Sequence, residues 1–245
     1  MTDPAAVRAC LHRLFIAAEG ARLRREDEKK AEELAGFLAL LRGRVSKRAV
    51  LVDAAAGKSP VGLAAVELLG VGRLVAIERD PARAAACREA AGRLSRGASV
   101  EVREGDLADD ASWPARVDVV VALHACGAAS DAVFAQAVKR GARWMVVAPC
   151  CYATAVPFSA RAHAVVEALG AANHAAVRRP LVQALVDADR TLSLEAAGYE
   201  VTVAPFVAPT VTPHHLAWVC RRAMEPRAME AAGRRRAALH AALSG

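Results

Sequence analysis

The segment Val50-Leu51-Val52-Asp53-Ala54-Ala55-Ala56-Gly57-Lys58-Ser59-Pro60-Val61-Gly62 constrains the fold more than any other part of this chain. Its apolar run closing on an acid predicts a buried strand, its small residues predict a turn, and the stretch from Val61 onward predicts a helix. Ala54 to Gly57 have side chains short enough for backbone amides to approach a ligand, at the strand end where open α/β sheets bind ligands. A second apolar strand, Arg73-Leu74-Val75-Ala76-Ile77-Glu78, closes on another acid. A small-residue turn with an acid roughly 20 residues on also serves nicotinamide dehydrogenases, where the acid holds a ribose. The rest of the chain has to decide between cofactors.

From residue 50 onward, short apolar strands alternate with Ala-rich helices. Strands are predicted at 50–53, 73–78, 99–103, 117–123 and 143–148, and helices at about 61–69, 81–95 and 129–140. This alternation implies a parallel sheet with helices on both faces. After helices near 159–169 and 189–197, residues 199–207 and 216–221 read as two more strands. The Pro/Thr-rich loop Ala208-Pro209-Thr210-Val211-Thr212-Pro213 joins them and is short enough for an antiparallel pair. Two strands after a five-strand parallel run fit the seven-stranded, Rossmann-like α/β sheet of class I methyltransferases better than a six-stranded dinucleotide fold. Residues 4–43 read as helical, with Leu11, Leu14 and Phe15, then Leu34, Phe37, Leu38 and Leu41, flanking a charged run from Arg22 to Glu33. The expected organisation is a helical arm over 1–47, the class I domain over 48–222 and a basic helical tail over 223–245.

Composition narrows the classes. With 245 residues and 55% hydrophobic content the chain can bury a sizeable core. No window reaches the roughly 18 apolar residues of a membrane span, and no basic-then-apolar leader opens the chain, so a cytoplasmic protein is expected. The six cysteines lack regular spacing and read as thiols, not as a disulfide framework. A net charge of +7 with a pI near 9.4 favours polyanionic partners. An aromatic content of 4% argues against a base-stacking platform.

Acids recur at successive strand ends: Asp53, Glu78, Asp106 and, at the start of the fourth strand, Asp118. S-adenosylmethionine needs a polar neighbour for its ammonium, a carboxylate for its ribose hydroxyls and a side chain for its adenine amino group. Asp53, Glu78 and Asp106 are read in those three roles, with Ala55, Gly57, Lys58, Arg79, Leu107 and Leu123 as neighbours on the cofactor. The competing reading of each acid alone is a helix cap.

Beyond the cofactor, the fourth strand ends Leu123-His124-Ala125-Cys126-Gly127 and the fifth Ala148-Pro149-Cys150-Cys151-Tyr152. Neighbouring parallel strands open onto one crevice, so His124, Cys126, Cys150, Cys151 and Tyr152 are the candidate catalytic set at the acceptor site. The residues count against a zinc deaminase, because Cys126 stands where its proton-shuttling Glu is needed and the two cysteines lack a spacer. Zinc on His124, Cys126 and one or both of Cys150 and Cys151 is the minority reading, since adjacent cysteines rarely reach one tetrahedral ion together. Cysteines as small buried hydrophobes are the plain alternative. His124 is read as a base or substrate positioner.

The paired LHACG and PCCY motifs, with Asp131, Asp189-Arg190 and Thr212-Pro213, resemble a methyltransferase-domain family that includes the eukaryotic tRNA acceptor-stem 2′-O-methyltransferases. The resemblance covers roughly residues 48–222 and implies a class I fold, S-adenosylmethionine and an RNA substrate, tRNA or rRNA. Basic residues at Arg22, Arg24, Arg25, Lys29 and Lys30, and at Arg221, Arg222, Arg234, Arg235 and Arg236, are candidates for tracking phosphates, against the plainer reading of a solvated helix face. A methyltransferase for a small molecule or protein, a non-catalytic cofactor-binding scaffold and, third, a nicotinamide oxidoreductase are the alternatives.

Overall fold

The structure, a computed structural model, describes residues 3–17, 25–125, 127–150, 152 and 156–242. Its centre is a seven-stranded sheet: β1 (Val50–Ala54), β2 (Arg73–Glu78), β3 (Ser99–Glu104), β4 (Val119–Leu123), β5 (Trp144–Ala148), β6 (Tyr199–Pro205) and β7 (Leu216–Arg222), in the order β3-β2-β1-β4-β5-β7-β6. The first five run parallel, and β7 pairs antiparallel with both β5 and β6. The strand order reverses direction at β1, whose neighbours are β2 and β4, so a crevice opens at the carboxyl ends of β1 and β4. β1 is buried along its whole length, as expected for a strand covered on both faces.

The helices are α1 (Pro4–Leu11, continued by a wider turn over His12–Ile16), α2 (Arg25–Leu41), α3 (Pro60–Leu69), α4 (Pro81–Ala91), α5 (Ala129–Lys139), α6 (Ser159–Ala168), α7 (Ala175–Ala196) and α8 (Pro226–Ala242). α1 and α2 are not loosely appended. Val7, Leu11, Leu14, Leu34, Phe37, Leu38 and Leu41 are buried in the same apolar cluster as Leu51 of β1 and Leu63 and Val66 of α3. Each such side chain stabilises by about 1.5–3 kcal/mol, and a whole domain is stable by only about 5–15 kcal/mol. The two helices are therefore part of the core that holds the sheet. α2 comes close enough to the turn after β6 for Phe37 and Phe206 to meet edge to face at 5.6 Å.

Two departures from the sequence expectations have clear causes. α7 runs for 22 residues, where the apolar spacing predicts helix only near its end, because Pro180 and the Arg178-Arg179 pair interrupt the pattern near its start. The basic tail is also less available than its composition implies. In α8, Arg236 is 2.7 Å from the buried Asp189 of α7 and Arg234 pairs at 2.5 Å with Glu230. His240 joins Asp189 at 2.6 Å. Burial would raise the Asp189 carboxyl, but the hydrogen bonds from Arg236 and His240 outweigh it and hold it below the usual range. Arg221 is likewise engaged, by Glu200 of β6. Arg22 and Arg24 lie outside the described residues. Among the described residues no helix is long and apolar enough to cross a membrane.

Gly36 offers a check on α2 docking. A Cβ there would collide with the backbone carbonyl of Phe206, which no side-chain rotation can relieve. In a free helix Gly→Ala gains about 1 kcal/mol; here Gly36→Ala is expected to lose about 1–3 kcal/mol instead. Urea midpoints of the two proteins measure the sign, and a gain would mean that α2 is not held against Phe206.

Candidate functional site

The turn after β1 is shaped by two buried carboxylates. Asp53 is 2% exposed, and its Oδ2 accepts from the Ser59 hydroxyl at 2.6 Å and the Gly62 N–H at 2.9 Å, fixing the entry to α3. Burial pushes its carboxyl up to about 7, against the two hydrogen bonds and with help from the nearby Glu78 charge. Glu78 is also buried: Oε2 accepts from the Gly57 N–H at 2.7 Å and Oε1 from the Asp80 N–H at 2.9 Å. It thus ties the β1 turn to the β2 turn, while Asp80 caps α4. Ala55, Gly57 and Ser59 all take left-handed φ, at 56°, 58° and 57°. A Cβ at Gly57 would meet nothing within 4 Å, so its backbone faces open space.

Two cavities, of about 480 and 500 Å³, flank this turn and share Ala55, Arg83 and His124. The first lies between the turn and α1–α2, lined by Asp53, Gly57, Lys58 and Leu123 on the sheet side and by Leu11, Phe15, Asp27, Lys30, Glu33 and Leu34 on the helical side. The second lies over β2 and β3, lined by Ile77, Glu78, Arg79, Asp106 and Leu107 with Ala129 and Ala132 of α5. The structure thus brings all nine sequence-selected cofactor residues, Asp53, Ala55, Gly57, Lys58, Glu78, Arg79, Asp106, Leu107 and Leu123, to one wall or the other. Asp106 is exposed and its Oδ1 accepts the Ala108 N–H at 2.8 Å. Asp118, by contrast, accepts the Val50 N–H at 2.8 Å and is a link between strands.

His124 stands where the cavities meet. Its backbone N–H donates to Ala148 at 3.1 Å, carrying the β4–β5 pairing one residue beyond β4, and its φ of +61° turns the chain back over the crevice. That conformation costs about 1–2 kcal/mol for an L-residue. Its Nε2 lies 2.7 Å from Oε1 of Glu33 on α2. The His214 ring, from the loop between β6 and β7, sits edge to face at 6.4 Å. Burial, then the neighbouring His124, holds His214 below the usual imidazole range.

Cys150 and Tyr152, the other described members of the candidate catalytic set, are not gathered here. Cys150 lines neither cavity. Tyr152 turns away: its hydroxyl donates to Asp187 of α7 at 2.9 Å, and the Arg190 guanidinium lies 5.3 Å from its ring centre. Arg190 in turn grips Asp131 with two bonds of 2.8 and 2.9 Å. Burial and the Asp187 charge push the Tyr152 phenol up, so it keeps its proton. Tyr152 therefore joins the network that links α5 and α7 and lines neither cavity. Cys126 and Cys151 lie outside the described residues, and among the described residues no three His, Cys, Asp or Glu side chains are grouped to hold a metal. Sequence reasoning missed Asp27, Glu33 and Arg83 at these walls, and named Lys30 only as a phosphate-tracking residue. Glu33 did carry a signal, standing one helical turn before Phe37 on the buried stripe.

The raised Asp53 gives a pH dependence. Between about pH 4 and 7 the native state keeps a proton that the unfolded chain releases, so stability falls as pH rises through this window. Asp187, which burial lifts to about 6, contributes in the same direction. Asp53→Asn is expected to remove the larger part, on the order of 1–4 kcal/mol between pH 4.5 and 7.5. Denaturant titrations of both proteins at the two pH values measure it, and parallel pH dependences would contradict the burial argument.

No curated protein sequence matches the chain. A structure from Pyrococcus horikoshii, provisionally described as an RNA methyltransferase, superposes with a TM-score of 0.50 at 17% identity, over 81% of this chain and 87% of that one. Thermoplasma acidophilum protein 1320 gives 0.49 at 15% identity, over 91% and 98%. M. capricolum TrmK in complex with S-adenosylhomocysteine gives 0.47 at 7% identity, over 76% and 67%. At 17% identity the likeness to the Pyrococcus horikoshii structure is one of fold. The family described as "Methyltransferase domain" matches residues 28–156, from within α2 to a point beyond β5. Because that match takes in more than half of the chain, including both cavity-forming turns, this protein belongs to the methyltransferase-domain family.

Proposed function

We propose that this methyltransferase, whose cofactor is S-adenosylmethionine, acts on RNA. The observation that carries the reading is the rim of the two cavities, where Lys58, Arg79 and Arg83 are exposed and Lys30 faces them from α2. The buried Asp53 and Glu78 lie beneath; at the rim itself Asp27, Glu33 and the exposed Asp106 stand among these cations, and Asp80 lies 3.9 Å from Arg83. The exposed Lys58, Arg79, Arg83 and Lys30 are the groups there that a polyanion would engage.

The residues present fit the cofactor. Each Glu78 oxygen accepts only one backbone N–H, and an ionised carboxylate has about four lone-pair sites, so capacity is left for ribose hydroxyls. Asp106 is placed to accept from the adenine amino group, with Ile77 and Leu107 as apolar flanks. Asp53 stands at the methionine end, and the Ala55 and Gly57 backbone allows close approach. When bound, the cofactor supplies an electrophilic methyl group with a thioether as leaving group. The leaving group is already good, so the chain's main work is alignment, with His124 positioned to help remove a proton.

A second reading is a small-molecule acceptor. The apolar wall that Leu11, Phe15, Ile16 and Leu34 place over the first cavity favours it.

Glu78→Ala is expected to weaken S-adenosylmethionine binding by about 1.5–3 kcal/mol. Calorimetry checks this, and unchanged affinity would remove Glu78 from the cofactor site. For the acceptor, replacing Lys58, Arg79 and Arg83 together by alanine is expected to flatten the log–log salt dependence of RNA binding by about two to three units. Filter binding from low to moderate salt reads the slope. Weak, salt-independent binding by the unaltered protein, with labelled methyl entering a small-molecule extract, would select the second reading.

A further inference from the structure

We infer that Glu33 is a positioning residue for the transfer step: it holds His124 in one tautomer, so that α2 completes the proton-accepting half of the site. The inference rests on the methyltransferase reading above and adds to it the chemical class of the acceptor, a group that must shed a proton as it is methylated.

Three observations carry it. The Glu33 side chain is only 13% exposed and its Oε1 lies 2.7 Å from His124 Nε2. A carboxylate accepts and does not donate, so the shared proton sits on Nε2 and the Nδ1 lone pair remains to take another. The pair is also fixed from both ends. Glu33 is followed by Leu34, Phe37 and Leu38, all buried in the core, while His124 is held in a left-handed conformation by its bond to Ala148. A residue in a strained conformation, over-determined by its surroundings, is characteristic of functional positions. Finally, His124 is shared by both cavities, one carrying the cofactor's adenosine-side residues and the other the helical wall.

In the transfer, a lone pair on the acceptor oxygen or nitrogen forms the new bond to the methyl carbon, and the carbon–sulfur bond breaks with its electron pair going to sulfur, leaving S-adenosylhomocysteine. The acceptor's proton passes to His124 Nδ1, and the imidazolium so formed keeps its Nε2–H on the Glu33 carboxylate. A charge-assisted hydrogen bond of this kind is roughly twice as strong as a neutral one, so Glu33 also favours the state reached in transfer. An acceptor that is already anionic, such as a thiolate, would gain nothing from the pair.

The test has two arms. The first uses ¹⁵N-histidine NMR of the S-adenosylhomocysteine-bound protein at neutral pH, with His124→Ala to assign the signal, and needs no acceptor. The proton is expected on Nε2 in the unaltered protein, with the tautomers mixed in Glu33→Gln, whose amide can donate as well as accept. A proton found on Nδ1 in the unaltered protein would overturn the inference whether or not any variant folds.

The second arm measures tritiated-methyl transfer from S-adenosylmethionine to a pool of unmodified tRNA and rRNA transcripts. Glu33→Gln is expected to lower kcat about tenfold or more and His124→Ala about 100-fold, with the cofactor Kd within about threefold in each. The double variant is expected to be no slower than His124→Ala. Full kcat in Glu33→Gln with a working unaltered enzyme would overturn the inference and leave the methyltransferase reading standing. No transfer to RNA by the unaltered protein would instead fail the RNA reading, and the tautomer result would then decide on the pair.

Discussion

The Glu78 carboxylate is the constraint on which the rest of the site depends. By accepting one backbone N–H from the β1 turn and one from the β2 turn, it sets the spacing of the two loops that face the crevice. Because it is buried, both bonds are made in a setting where leaving a partner unpaired would cost about 1–3 kcal/mol. Asp53 does the complementary work one strand over, turning the chain into α3 through Ser59 and Gly62. Together the two carboxylates turn a generic parallel sheet edge into a cavity with a defined floor.

The helical side of the site depends on core packing. α1 and α2 bury their apolar stripes in the cluster that also holds β1 and α3, so the wall they form over the first cavity is as firmly placed as the sheet. The charged face of α2 then delivers Asp27, Lys30 and Glu33 to a cavity whose opposite wall is Asp53 and Lys58. On the far side of the sheet, the Tyr152–Asp187–Arg190–Asp131 network and the Asp189 pairing with Arg236 and His240 join α5, α7 and α8. These networks commit to structure several of the polar residues that composition alone offers to function.

What was legible in the sequence was what depends on local period. Continuous valine-rich apolar runs such as Val50 to Val52 and Val119 to Val121, too short for helices and bounded by turn residues, read as strands buried on both faces, and acids at their ends fall where the topology opens. The antiparallel return of β7 was legible too, from the short loop before it. Less visible were features set by contacts across long stretches of chain. Glu33 meets a partner 91 positions away, and it sits at the end of a charged run that reads as a solvated face. Tyr152 comes after two cysteines at the fifth strand end, which argues for the crevice, but Arg190 and Asp187 draw it to α7. Arg236 belongs to a run of arginines whose purely basic look conceals a buried partner in Asp189.

The central claim is that the crevice between β1 and β4 is built for S-adenosylmethionine and not for a nicotinamide dinucleotide. Isothermal titration of the purified chain with S-adenosylmethionine, S-adenosylhomocysteine and NAD tests it most directly. The account predicts one-to-one binding of the first two and none of the third; saturable binding of NAD with no response to either adenosyl ligand would contradict it.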